Sequence, residues 1–168
     1  MDELKRLVLL ELGRELPVSQ IPKDFWLKIV EKHQLSEEFM KKYEEHLDWL
    51  YISSYQKLSE VFLREFNSKL IWTCISMYQN ISEQFISDFT DEIDWFFVSR
   101  NQNLSESFIR QHQSDICWEN VVENQPLSDD FLVEFEHKIP WKEYFISQKA
   151  TVRVFTRYFI YSGLELND

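Results

Sequence analysis

The chain has 168 residues, of which 44% are hydrophobic and 16% aromatic, and its formal net charge is −11. This length and apolar content suffice for one domain with a real core and exclude a disordered chain. Residues 81–149 carry 14 acidic and 5 basic side chains, which argues against nucleic acid as a partner because a phosphate backbone calls for a face rich in Lys and Arg.

The N-terminal stretch, residues 1–16, has apolar residues at helical spacing. Glu11 and Arg14 interrupt the stretch before it reaches the length of a signal-peptide core or a membrane span. We therefore predict a capping helix here and expect no membrane as a partner.

Tryptophans then recur along the chain at a fixed interval of 23 residues, which is typical of a tandem array. They are Trp26, Trp49, Trp72, Trp95, Trp118 and Trp141. With Leu35 as position 1, five full copies of a 23-residue repeat follow one another. The sequence thus predicts a single repeat domain over 1–168, made of an N-terminal capping helix and half repeat (1–34), five full repeats (35–149) and a C-terminal capping half repeat (150–168).

The first half of each copy is predicted to be a helix that begins with a serine at position 2 and an acid at position 3. The serine hydroxyl can accept a hydrogen bond from the first turn, and the acid suits the positive end of the helix. Apolar residues at positions 5, 6, 9 and 13 give the helix one buried face. The serines are Ser36, Ser59, Ser82, Ser105 and Ser128, and the acids are Glu37, Glu60, Glu83, Glu106 and Asp129.

The second half of each copy is predicted to be another helix, which starts near position 14. Asp48 and Asp94 at this position suit a helix start, and Pro140 suits the first helical turn, where no N–H is needed. Helices this short are not stable alone, so the tryptophans are expected to form a packing core between copies. The predicted fold is all-α, a right-handed α-solenoid of short antiparallel helical hairpins.

Glutamine fills position 22 in every full copy. We favour a structural role over a ligand-binding one and expect the amide to bond the backbone of the following turn. The residues are Gln56, Gln79, Gln102, Gln125 and Gln148.

No set of residues indicates a chemistry. The histidines fall at four different repeat positions and the cysteines at two, so the array aligns neither type, and nucleotide-binding, metalloprotease and hydrolase motifs are lacking. We predict no catalytic residue, no metal site, no cofactor and no enzymatic activity, and the two unpaired cysteines favour an intracellular location. His112 replaces a Tyr or Phe of the other copies and is interpreted as a packed ring. The residues are His33, His46, His112, His137, Cys74 and Cys117.

Copies differ most usefully at positions 16 and 17, which are apolar in the first three copies and polar in the last two. If both positions face outward, they form a candidate partner-binding patch beside an acidic half of the chain. The alternative is that one of the two faces the neighbouring copy. The patch residues are Leu50, Tyr51, Phe96 and Phe97.

The copy that starts at Leu35 reads LSEEFMKKYEEHLDWLYISSYQK. Its LSE-x-F opening, D-W centre and I-S-x-Y-Q close resemble the short helical repeat of many proteins from giant and other large nucleocytoplasmic DNA viruses, such as marseilleviruses. The resemblance covers Leu35 to Lys149. It implies a viral protein that acts in the cytoplasm of the host cell or is packaged in the virion, and it assigns no activity and no site residue.

From these features we expect a non-enzymatic scaffold for protein–protein interactions, for which the acidic stretch is compatible with a basic protein partner. The alternative is a self-associating structural component, that is, a homo-oligomer of the virion or of its assembly. A solubilising role is the simpler interpretation of the negative charge.

Overall fold

The computed structural model describes residues 2–147 of the chain, and this part contains helices and no strand. Each full copy forms two short helices, as the repeat pattern predicted. The helices are α1 (Glu3–Leu12), α2 (Lys23–Lys32), α3 (Glu37–Lys42), α4 (Trp49–Tyr55), α5 (Glu60–Glu65), α6 (Trp72–Tyr78), α7 (Glu83–Asp88), α8 (Trp95–Asn101), α9 (Glu106–Gln111), α10 (Trp118–Asn124), α11 (Asp129–Glu134) and α12 (Trp141–Ile146). The predicted C-terminal half repeat and Gln148 lie outside the described residues.

The chain divides into two compact units, Met1–Ile81 and Ser82–Asp168, called here the N-terminal and C-terminal units. In the N-terminal unit the second helices of successive copies pack in a row, α2 on α4 and α4 on α6. In the C-terminal unit α8 packs on α10 and α10 on α12. Like helices therefore contact like helices within each unit.

The helix starts predicted from the sequence are confirmed. Every serine at position 2 is an N-cap whose Oγ accepts a hydrogen bond from the backbone N–H of the phenylalanine three residues later. Asp48 and Asp94 cap the second helices in the same way, by accepting from the N–H groups of Leu50 and Phe96. Pro140 differs slightly from expectation, because it is the N-cap residue of α12 and not part of its first turn.

The innermost layer of each unit is formed by positions 5, 6 and 18 and contains no tryptophan. Nearly all of these side chains are inaccessible to water, and each phenylalanine or aliphatic residue so buried contributes roughly 1.5 to 3 kcal/mol relative to an exposed one. The layer contains Phe39, Phe62, Phe85, Phe108, Phe131, Met40, Leu63, Ile86, Ile109, Leu132, Ile52, Ile75, Val98, Val121 and Tyr144.

The tryptophans pack on the outside of this layer and do not form its centre. Trp26 is buried, whereas the five later tryptophans are only half-buried. The ring of Trp118 lies 5.3 Å from that of Phe135 in the next copy, while its indole N–H donates to the carbonyl of Gln113 in its own copy. Trp95 and Trp49 likewise lie against rings of the following copy, at positions 5 and 9. Each such ring joins two copies.

The glutamines at position 22 have the structural role that was expected, but the turn they bond is the preceding one. The Gln56 amide nitrogen donates to the carbonyls of Val30 at 2.6 Å and His33 at 2.8 Å, and its oxygen accepts from the N–H of Leu35 at 2.8 Å. These groups belong to the end of α2 and to the approach to α3. Gln79 and Gln125 repeat the arrangement one and three copies later.

The acids at position 3 bond forward to the next copy, which the sequence did not reveal. The Glu106 carboxylate accepts the N–H of Ser128 at 2.6 Å, and Glu37 accepts both the N–H and the hydroxyl of Ser59. An N-cap N–H has no partner within its own helix, so the preceding copy supplies one. The Glu3 carboxylate of α1 likewise accepts the N–H and the hydroxyl of Ser36. The N-terminal helix thus supplies to the first copy the contact that each later copy receives from the copy before it.

A second link joins position 19 of one copy to position 14 of the next. The Ser53 hydroxyl accepts the N–H of Ile71 at 3.1 Å, and that of Ser99 accepts the N–H of Cys117 at 2.9 Å. In the fourth copy, position 19 is Val122, whose side chain has no hydrogen-bond acceptor. In the fifth copy, position 14 is Pro140, which has no backbone N–H. The two departures from the pattern compensate for each other.

Candidate interaction groove

An accessible, uncharged surface of the described part of the chain lies between α4 and α6. The second helices α4, α6, α8 and α10 bury positions 18, 19 and 22. Their positions 16, 20 and 21 therefore lie on the other side, with position 17 at the border between the two sides, as the 3.6-residue period requires. Between two such helices these outer positions form a groove. It is lined by Leu50, Tyr51, Ser54, Tyr55, Thr73, Cys74, Met77 and Tyr78 and has a volume of about 450 Å³.

Aromatic and aliphatic side chains form the rim of the groove. Leu50, Tyr55 and Tyr78 are 48%, 58% and 55% exposed. The rings of Tyr51 and Tyr55 are stacked one helical turn apart, with centroids 5.8 Å from each other. None of the eight lining residues is an Asp, Glu, Lys, Arg or His. Tyrosine-rich, uncharged surfaces are characteristic of binding interfaces, since a tyrosine ring buries much area and loses little conformational entropy.

Hydrogen bonding within the groove leaves the phenol groups available. The Ser54 hydroxyl donates to the carbonyl of Leu50, four residues earlier on the same helix. The hydroxyls of Tyr51, Tyr55 and Tyr78 make no hydrogen bond to any residue in the range 2–147. The groove therefore offers three phenol donors to a bound molecule.

The four residues of the predicted patch fall in both units. Leu50 and Tyr51 line the groove of the N-terminal unit, and Phe96 and Phe97 lie on α8 of the C-terminal unit with their rings edge to face at 5.3 Å. Position 16 faces outward, because Leu50 and Phe96 are each about half exposed.

Position 17 is turned more toward the neighbouring copy than position 16 is. The sequence had raised this as the alternative to a patch in which both positions face outward. Tyr51 and Phe97 are half-buried, and Asn120 at the same position is buried. The Asn120 side-chain nitrogen donates to the carbonyl of Phe96 in the preceding copy at 3.0 Å. Residues at position 16 are thus the better candidates for direct contact with a partner.

In the C-terminal unit the corresponding outer face includes charged side chains. Each of its helices α8, α10 and α12 has at least one charged residue at position 16, 17 or 20, where the groove has Leu, Tyr, Ser, Thr, Cys and Met. The charged residues are Arg100, Glu119, Glu123, Lys142 and Glu143. A groove lined by these side chains would therefore not be uncharged, unlike that of α4 and α6.

Basic side chains of the first helices are bound to acids of adjacent copies. Arg110 forms two hydrogen bonds with the Glu134 carboxylate, at 2.9 and 3.1 Å, and its guanidinium lies 4.9 Å from the centre of the Phe131 ring. Lys41 pairs with Glu65 in the N-terminal unit, and Lys69, which lies between α5 and α6, pairs with Glu44 at 2.9 Å. These ion pairs link successive copies.

The side chains of His112 and Cys117 lie outside the groove. His112 is a packed ring, as predicted, between Trp95 and Phe108, with its Nδ1 3.3 Å from a carboxylate oxygen of Asp115 and its Nε2 buried without a partner. Both cysteines are free thiols. Burial raises the pKa of the Cys117 thiol, which lowers its reactivity.

Within residues 2–147, no group of three or more His, Cys, Asp or Glu side chains is arranged to hold a metal ion. Over the same residues, no helix has both the length and the apolar character needed to cross a bilayer.

Comparison with known proteins gives no relative. No family model, no curated protein and no solved structure matches this chain.

Proposed function

We propose that the protein is a non-enzymatic scaffold that binds another protein through the outer face of its second helices. The observation that supports this most directly is the uncharged groove between α4 and α6, with its half-exposed Leu50, Tyr55 and Tyr78. Apolar and aromatic side chains clustered in this way on a surface mark interaction sites.

The handedness and the stacking of the helical hairpins are part of the same proposal. We infer a right-handed α-solenoid, in which each hairpin stacks on the next and stability accumulates from neighbour interfaces. The rows α2, α4, α6 and α8, α10, α12 within the two units support this arrangement. So do the bonds that recur between successive copies at positions 3, 19 and 22.

The partner and the location are inferred from charge and from the repeat. Residues 81–149 carry 14 acids and 5 bases, which suits a basic protein partner and does not suit a nucleic acid. The resemblance of the repeat to that of large DNA viruses supports a proposed location in the cytoplasm of an infected cell or in the virion.

A self-associating structural component is the second candidate. The observation that favours it is that Leu50 and Phe96, at the same repeat position, are both about half exposed. Residues that recur at one position of a repeat can meet their equivalents in another molecule of the same chain.

One paired experiment tests the scaffold against self-association. Wild-type protein and the Leu50→Ser and Phe96→Ser variants are compared by molecular mass over a wide range of concentrations and by affinity capture from the native cell. Val61→Ser on α5 is the matched control, because Val61 is 72% exposed and lies outside the groove.

A scaffold is expected to keep one mass at all concentrations and to retain a specific partner with the wild type and the Val61→Ser control but not with Leu50→Ser. Mass that grows with concentration, and stops growing in the Leu50→Ser or Phe96→Ser variant, would establish self-association instead. A partner retained equally by all variants would contradict the groove as its binding site.

A further inference from the structure

The absence of charge in the α4–α6 groove restricts what can bind there. Charged residues make up 28% of the chain, yet none of the eight lining residues is an acid, a Lys, an Arg or a His. A charge buried without a partner is strongly unfavourable. The part of a ligand that enters the groove must therefore be uncharged.

The three phenol donors restrict the ligand further. The hydroxyls of Tyr51, Tyr55 and Tyr78 have no partner among residues 2–147 and can donate to carbonyl oxygens of a ligand. An α-helical ligand uses nearly all its carbonyls internally, and a β-strand ligand adds to a sheet edge, which the described residues lack. A polyproline II segment has no internal hydrogen bonds, so all its carbonyls stay free.

The spacing of the tyrosines agrees with this conformation. Tyr55 and Tyr78 both occupy position 21, on two helices that pack directly on each other. Axes of packed helices lie roughly 8 to 10 Å apart, and a polyproline II segment advances about 3.1 Å per residue, or about 9 Å over three residues. Residues i and i+3 of a segment laid across α4 and α6 would thus each meet one tyrosine ring.

We propose that the ligand of the α4–α6 groove is an uncharged, proline-rich segment of a partner protein in the polyproline II conformation. Its prolines pack on the rings of Tyr55 and Tyr78, and its carbonyls accept from the phenol hydroxyls. This rests on the proposed scaffold function and specifies the partner segment at the same site. The charged outer face of α10, with Glu119 and Glu123, is excluded as an equivalent site.

The test is a titration of the full-length, isotopically labelled protein, followed by its backbone amide NMR signals. The probe is a ten-residue Ala-Pro-Pro repeat peptide with blocked ends. A blocked peptide of the same length with helix-forming Ala and Gln in place of Pro is the comparison. The protein variants are Tyr55→Phe/Tyr78→Phe, which keeps both rings, Tyr78→Ala, and the control Val61→Ala.

The proline peptide is expected to shift signals of α4 and α6 and to bind more tightly than the helix-forming peptide. Removal of two phenol donors should weaken binding by about 5- to 150-fold, since each such hydrogen bond contributes roughly 0.5 to 1.5 kcal/mol. Tyr78→Ala should weaken it at least as much, and Val61→Ala should change it by less than about 2-fold. Tyr78 is 55% exposed, so its loss is not expected to unfold the chain.

Equal or tighter binding of the helix-forming peptide would overturn the proposal, as would shifts outside α4 and α6 or an undiminished affinity of Tyr55→Phe/Tyr78→Phe. Failure of the ligand class and failure of the scaffold function are separable. If the proline peptide does not bind but Tyr78→Ala releases a captured native partner, the ligand class is wrong and the scaffold stands. If Tyr78→Ala releases nothing and the peptide does not bind, both are wrong.

Discussion

The second helices of the two units share a buried side and differ on the outer side. In the N-terminal unit, α4 and α6 present Leu50, Tyr55 and Tyr78 around an uncharged groove. In the C-terminal unit, α10 has Glu119 and Glu123 at equivalent outer positions. Position 18 is nevertheless an inaccessible aliphatic residue in α4, α6, α8 and α10. Stacking thus fixes the inner residues and leaves the outer ones free to specify a partner.

The largest effects should come from the inner layer and should be alike in both units. Phe62 and Phe131 both occupy position 5 and are inaccessible to water. Phe62→Ala and Phe131→Ala should each lower the free energy of unfolding by about 3 to 5 kcal/mol through lost burial and a cavity. Urea unfolding followed by circular dichroism measures this, and a loss below about 1 kcal/mol in one unit would show that the inner sides are not equivalent.

Replacement of a position-22 glutamine should have the next largest effect, again in both units. Gln56→Met and Gln125→Met keep most of the volume but leave two carbonyls and one N–H without their partner. We expect a loss of roughly 2 to 4 kcal/mol in urea unfolding. Gln84→Met on the exposed side of α7 is the control and should change stability by less than about 0.5 kcal/mol. A control as damaging as the two test variants would refute the explanation by backbone bonds.

The link between positions 19 and 14 should distinguish two joints within the C-terminal unit. Ser99→Ala removes the acceptor of the Cys117 N–H and should cost about 1 to 2 kcal/mol. Val122→Ser should gain nothing, because Pro140 has no N–H to donate. In a double-mutant cycle, Val122→Ser with Pro140→Ala should be more stable than the sum of the two single changes predicts. Simple additivity there would mean that the two residues are independent.

The smallest effect concerns a contact found only in the N-terminal unit. Hydrogen bonds from Lys28 and His33 to the Glu11 carboxylate lower the pKa of Glu11 to about 2. The unfolded chain has an ordinary glutamate pKa of about 4.3, so this stabilisation is complete above that pH and is lost as the pH falls through about 2. Glu11→Gln should flatten the decline of stability between about pH 4.5 and 2. An acid limb identical to that of the wild type would refute the assignment.

Much of the fold could be predicted from the sequence because its signals are local. The 23-residue spacing of the tryptophans, the serine caps and Asp48 and Asp94 each report on one helix or one hairpin. Such features need no knowledge of how copies stack. The two-helix form of each copy followed from them directly.

Contacts between copies could not be predicted in the same way. The recurrence of Gln56 and its equivalents signals a common role, but whether the amide reaches the preceding or the following turn depends on the stacking direction. The forward bonds of Glu37 and Glu106 depend on it too. One signal was present in the sequence, since Val122 and Pro140 depart from the pattern in consecutive copies.

The candidate site was predicted in part. Leu50 and Tyr51 were selected because the copies differ at positions 16 and 17, and both line the groove. Tyr55 and Tyr78 were missed because position 21, which is Tyr, Asn or Ser in the five copies, gives no periodic apolar signal. Their importance appears only when α4 and α6 are seen to lie side by side.

The compensating pair Val122 and Pro140 limits how such an array can change its length. Copies joined by a position-19 serine and a position-14 N–H can be duplicated or deleted in register without leaving a polar group unpaired. A further 23-residue copy inserted between residues 126 and 127 would place its own position-14 N–H beside Val122, which has no acceptor. It would also place its own position-19 hydroxyl before Pro140, which has no N–H. Recombination is therefore disfavoured at this junction, and the fourth and fifth copies should be inherited together as one block.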